Sequence, residues 1–162
     1  SPAYMRGGMG DSGGCHPRDN QAMSWLAGRL DLSVDLMGFV SEAREQQSDY
    51  LADLVEHWHR MTGLPIVLLG KAYKPNVSLM NGSAGLLLAH QLRDRGLEAE
   101  HHDPFVDGSI TDESLTPAVY AVTTKHGCFT EYRMQPGSVV IDPHGYMPDQ
   151  PGVTTIRVGR KT

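Results

Sequence analysis

Cys15 stands in the stretch GDSGGCHPRD, after a run of glycines and before Pro-Arg-Asp. A cysteine attacks as its thiolate, and a helix N-terminus favours that form through free N–H groups and the macrodipole. Pro17 suits the first turn of a helix, so the sequence puts Cys15 at or just before a helix start. Asp19 follows within one helical turn, where its carboxylate could hydrogen-bond a water or an oxyanion near the sulfur. Gly13 and Gly14 let a substrate come close to the backbone. A small hydrophobe beside a turn is the other reading of the same residues, and spacing alone leaves both open. His16 makes a poor dyad with Cys15, because adjacent side chains on a helix diverge; substrate contact or solvent exposure suits it better.

A second group of reactive types lies in GKAYKPN. Lys71, Tyr73 and Lys74 together suit an anionic ligand that carries a sugar or base to stack on the ring. A solvated loop fits the same residues. The remaining candidates are weaker. His57 and His59 are two apart on a helix and cannot chelate one metal, and the spacing of four that zinc sites use is missing. His101 and His102 read as a polar strand end beside Asp103. Cys128 has no activating neighbour in sequence. No metal is expected.

These residues need elements to hold them. The chain has 162 residues, 40% hydrophobic and 20% charged, which fits one domain plus a helical extension. A net charge of −5 disfavours nucleic acid as a partner. No apolar run is long enough to cross a bilayer, and two cysteines are too few for a disulfide framework. A reducing, cytoplasmic setting with free thiols is therefore expected. The opening Ser1-Pro2-Ala3-Tyr4 has no initiator Met, as though the chain were taken from within a longer protein.

Met23, Trp25, Leu26 and Leu30 give helical spacing over Asn20 to Leu30. Ser33 or Asp35 caps a longer helix to about Met61, with Val40, Tyr50, Leu51, Leu54, Val55, Trp58 and Met61 as its stripe. A helix of that length buries its stripe on another helix or on a second subunit, and Gly63 and Pro65 stop it. From there the pattern becomes strand PIVLLG, a long loop, helix SAGLLLAHQLRDRG, and strands in LEAEHHDP, AVYAVTTKH, SVVIDPHG and VTTIRVG. The expected fold is α/β, a Rossmann-like parallel sheet with flanking helices, preceded by the cysteine loop and a long connecting helix. Residues 1–62 form the loop and connecting helices, and 63–162 the α/β domain. Ligands in such sheets bind beyond the carboxyl ends of the strands, where KAYKPN, HHDPF, TTKHG and DPHGY collect. The first strand-to-helix loop lacks the tight G-x-G-x-x-G of a dinucleotide site.

The order of these pieces resembles the C-terminal half of the UDP-glucose and GDP-mannose dehydrogenase family. The resemblance rests on the glycine loop with Cys-x-Pro-Arg-Asp, the helix pair, IVLLGKAYKPN, His102-Asp103-Pro104, VVIDPHGYMP and the closing Val158-Gly159-Arg160. It implies an NAD-dependent oxidation of the C6 alcohol of a nucleotide sugar, most readily UDP-glucose, with NAD held mainly by an N-terminal domain outside this chain. By resemblance Cys15 captures the aldehyde as a thiohemiacetal, which is oxidised to a thioester and hydrolysed to the acid; a thiolate suits both steps. Asp19 matches the residue that positions or activates the water. Tyr4, Gly10 and Gly13 fall where the nucleotide sugar runs, and Tyr73 and Lys74 match its second contact. A homodimer built on the long helix is implied as well. The chain departs from the family at Ser12, at His16, and over Ser78 to Ser83, which lacks the usual acidic and Arg-Glu residues. That leaves the sugar open among UDP-glucose, UDP-N-acetylmannosamine and GDP-mannose. A non-catalytic nucleotide-sugar binding and dimerisation module, and a thiol enzyme independent of NAD, are the rival readings.

Overall fold

The computed structural model describes residues 8–10, 12–108 and 115–159. Helix α1 (His16–Arg29) begins at Cys15, with Pro17 in its first turn. Helix α2 (Leu36–Thr62) begins at Asp35, whose carboxylate accepts from the Gly38 N–H at 2.9 Å. Such a cap stabilises a helix by about 1 kcal/mol. Gly63 ends α2 at φ 70°, in the left-handed region that glycine adopts without strain.

The chain then builds β1 (Ile66–Leu69), α3 (Ala84–Asp94), β2 (Ala99–His102), β3 (Val119–Val122), a 3-10 turn (Gly127–Glu131), β4 (Val139–Asp142) and β5 (Thr154–Arg157). The strands form one five-stranded sheet in the order β2-β1-β3-β4-β5, and every pairing is parallel. β3 and β4 are buried at every position, as their apolar runs VYAV and VVID require. The order reverses between β1 and β3, which is where an open parallel sheet leaves a crevice at its carboxyl edge.

Two cores flank the sheet. On one face Leu51 and Val55 of α2 and Leu88 and Leu92 of α3 pack on Ile66, Leu68, Val119 and Ile141. On the other Leu69, Tyr120, Val122 and Val140 meet Leu115, Phe129 and Met134, from non-helical segments and the 3-10 turn. The stripe of α2 is therefore divided. Leu51, Leu54, Val55 and Trp58 cover the sheet, whereas Val40, Tyr50 and Met61 are exposed. The C-terminal half of α2 shares its core with the α/β region that follows position 63.

Candidate functional site

The carboxyl ends of β1, β3 and β4 meet the glycine loop around a cavity of about 280 Å³. Loop 70–83, between β1 and α3, supplies Tyr73 and Lys74; the segment after β3 supplies Thr124 and Lys125; His144 follows β4. Gly10 and Ser12 line it from the N-terminal loop, and Ala84, first residue of α3, lines it as well. The positive end of that helix thus faces the cavity together with two lysines, and no described lining residue is a carboxylate. This lining favours an anion.

Loop 70–83 is held from beneath by buried polar groups. Asp103, fully buried at the end of β2, accepts from the N–H groups of Lys71 at 2.7 Å, Ala72 at 2.8 Å and Phe105 at 2.8 Å. Burial pushes its pKa up, but the bonds from Ala72, Phe105, His126 and Lys71 outweigh that and hold it below the ordinary value. His126, also fully buried, accepts from the Asn76 N–H at Nδ1 (3.2 Å), so its Nε2 carries the proton and donates to Asp103 at 3.0 Å. Phe105 stacks on the same ring with centroids 4.6 Å apart. Thr124 donates its hydroxyl to the Ala72 carbonyl at 2.7 Å. After β4, Asp142 accepts from the N–H groups of His144, Gly145, Tyr146 and Met147, which fixes the turn that carries His144.

The glycine loop docks on this platform. The Gly13 N–H donates to the Gly82 carbonyl at 2.9 Å, and the Ser12 hydroxyl donates to the Tyr73 carbonyl at 2.6 Å. Gly13 has φ 103°, and a Cβ there would lie 3.1 Å from the Tyr73 ring. A Cβ on Gly82 would sit 2.2 Å from the Gly13 carbonyl oxygen. Both contacts require glycine.

Of the residues singled out in sequence, Gly10, Tyr73 and Lys74 line the cavity, and Gly13 packs on Tyr73. Cys15 is exposed at the start of α1 and is not among the lining residues. Asp19 is bonded to Arg18 at 2.8 Å, and this hydrogen bond is the main reason its pKa lies below the ordinary carboxylate value. Its own N–H donates to the Cys15 carbonyl at 2.8 Å. Tyr4 lies outside the described residues. Lys71 points away, paired with Asp107 at 2.6 Å. Cys128 is half-buried, and burial raises its thiol pKa. Among the described residues no cluster suited to a metal is present.

Lys125 and His144 carry no individual signal in the sequence, although TTKHG and DPHGY place their stretches at this edge. Lys125 rests over the Tyr146 ring at 5.2 Å and Lys74 over the Tyr73 ring at 5.2 Å. Such contacts are worth about 0.5–1 kcal/mol at exposed sites. The Nε2 of His144 is buried without a hydrogen-bond partner, and burial is the main cause of its lowered pKa. A larger cavity of about 370 Å³ lies over the edge strand β2, lined by Glu100, His102, Asp107 and Tyr120 among others. Its carboxylates make it a poor anion site, and among the described residues none of the expected substrate-binding or catalytic ones lines it.

No family model matches the chain. Over 102 residues it is 28% identical to a UDP-glucose 6-dehydrogenase of Bacillus subtilis, a match covering 62% of this chain and 23% of that protein. Over 105 residues it is 30% identical to a GDP-mannose 6-dehydrogenase of Pseudomonas aeruginosa, covering 64% of this chain and 23% of the relative. Over 62–64% of its length the chain is thus similar to UDP-glucose and GDP-mannose 6-dehydrogenases. It spans about a quarter of the length of these relatives. Among solved structures, a ternary complex of GDP-mannose dehydrogenase from Pseudomonas aeruginosa superposes with a TM-score of 0.72 at 21% identity, covering 96% of this chain and 41% of that one. A UDP-glucose dehydrogenase from the archaeon Pyrobaculum islandicum gives 0.70 at 22%, covering 93% and 38%. At such identities the likeness establishes the α/β fold.

Proposed function

We propose that this chain is the substrate-holding part of an NAD-dependent nucleotide-sugar 6-dehydrogenase, with UDP-glucose the first substrate to test. The observation that carries the reading is the docking of the glycine loop on loop 70–83 through the Gly13 and Ser12 hydrogen bonds. That contact joins, across 61 positions of sequence, two of the stretches on which the resemblance to the dehydrogenases rests. Gly10, Gly13, Tyr73 and Lys74 hold the nucleotide sugar in this reading, with the anion-favouring cavity taking its phosphates. The Cys15 thiolate adds to the C6 aldehyde, and Asp19 positions the water that releases the acid from the thioester.

NAD supplies the oxidations. The described residues do not fit it as a cradle: the turn after β1 is filled by Tyr73 and the docked glycine loop, where a dinucleotide would need a short glycine turn. In this reading the N-terminal domain of the intact enzyme holds it. A homodimer through α1 and the first part of α2 agrees with the exposed Met23, Trp25, Leu30, Val34 and Phe39. A cytoplasmic location goes with the two free thiols, and among the described residues no helix is long and apolar enough to cross a membrane.

Replacing Cys15 by Ser in the intact enzyme should abolish formation of UDP-glucuronate from UDP-glucose and NAD, read by product chromatography. Undiminished acid formation by that variant would overturn the covalent role. The position of Cys15 outside the cavity lining favours a second reading, a module that binds nucleotide sugar without turning it over. Saturable UDP binding with no NADH production by the intact protein would establish that alternative.

A further inference from the structure

Lysines at the end of a strand hold an anion only if no carboxylate already neutralises them. Lys71 and Lys74 look equivalent in sequence, yet Lys71 is committed to Asp107 at 2.6 Å. The second cation at the cavity arrives instead from another strand. Lys125 follows β3 and lines the cavity with Thr123 and Thr124, whereas Lys74 reaches it from the loop after β1. Its ammonium group rests on the face of Tyr146, and Lys74 rests on Tyr73, each 5.2 Å from the ring centroid. Neither makes an ion pair among the described residues, and an ammonium leaves a ring face far more readily than a carboxylate. The backbone beneath Lys125 is fixed. Thr124 is tied to Ala72, and His126 to both Asp103 and Asn76, so the position of Lys125 is set relative to the loop that bears Lys74. His144 adds a buried, unpartnered nitrogen to the same lining. Burial disfavours its charged form, so the lysines supply the positive charge.

We propose that Lys125 is a specificity-determining residue of this site: with Lys74 it forms a two-armed cationic clamp that selects a diphosphate over a monophosphate. This rests on the nucleotide-sugar reading above, and names the group that would recognise the second phosphate. One lysine neutralises a monophosphate adequately. Two lysines carried by separate segments into one cavity match two linked phosphates, each taking a charge-assisted hydrogen bond.

The test is calorimetric titration of the protein and its Lys125→Gln and Lys125→Arg variants with UDP, UMP and inorganic pyrophosphate. Lys125→Gln should weaken UDP and pyrophosphate on the order of tenfold, the effect of losing one charged hydrogen bond. It should leave UMP within about twofold, and Lys125→Arg should restore most of the loss. Equal weakening of UDP and UMP, or no weakening of either, would overturn the clamp while leaving the nucleotide-sugar reading in place. Pyrophosphate binding that depends on Lys125, with no binding of UDP, would keep the clamp and refute the nucleotide. A wild-type protein that binds none of the three refutes both.

Discussion

Loop 70–83 and the glycine loop line the cavity side by side, but they are secured in different ways. The first is tied to Asp103, His126 and Thr124, all buried, and its position follows from the ends of β2 and β3. The second is held to it by the Gly13 and Ser12 hydrogen bonds and to α2 by Gln47, which donates to the Gly8 carbonyl at 2.8 Å. Cys15, at its end, is exposed. Buried, mutually satisfied polar groups resist rearrangement because each one broken leaves others unpaired in a medium of low dielectric. The anion side of the site is therefore built into the sheet, whereas the thiol side is attached to it through a few contacts that glycine makes possible.

The sharpest way to break this contrast is to remove the buried support. Asp103→Ala would strand the N–H groups of Lys71, Ala72 and Phe105 along with the His126 ring, at a cost of roughly 3 kcal/mol or more. Urea denaturation should show it as a large drop in midpoint, and an unchanged midpoint would mean that loop 70–83 is secured by something else. Gly82→Ala should act more narrowly. It forces a side chain into the left-handed region and against the Gly13 carbonyl, so the glycine loop must separate from its platform. UDP affinity should fall by more than stability does. Gly63→Ala supplies the control, since φ is nearly the same but nothing lies within 4 Å; it should cost only about 1 kcal/mol and spare binding.

The smallest effect expected is on the dependence of stability on pH. His101, His102 and His144 all have pKa values lowered chiefly by burial, and all belong to the sheet region. In the unfolded chain they take up protons near the ordinary value of 6.5, while in the native state they resist until the pH is lower. The unfolded state thus binds more protons across that window, so stability is full above about pH 6.5 and declines as the pH falls through the native values. Thermal melts from pH 7.5 to 5 should show a progressive decrease, and a flat profile would contradict the burial of these rings.

Much of the scaffold is legible in the sequence because each element carries its own signal. Asp35 with Gly63 delimits α2, Ser83 with Gly96 brackets α3, and the all-apolar VYAV and VVID announce strands buried on both faces. α1 starts at His16, ahead of the apolar stripe that begins at Met23, because Pro17 and the cap position set its start. The fate of the α2 stripe was not legible. Leu51 and Tyr50 look alike as apolar helical positions, but Leu51 is 2% exposed and Tyr50 54%, since only one faces the sheet.

The residue types available for chemistry, their order, and the local signals for helix, strand and turn are properties of neighbouring residues, and the sequence by itself determined them. Which groups meet was decided by the tertiary structure. Lys71 and Lys74 are three apart and look equivalent in sequence, yet the β1–β2 pairing brings Asp107 to Lys71 and takes it out of play. Lys125 enters because β3 lies beside β1 in the sheet, and His126 reaches Asp103 because β2 and β3 flank β1 on either side. A parallel sheet aligns the carboxyl ends of strands far apart in the chain, so the charges that share a cavity are set by strand order, which no local stretch of sequence encodes.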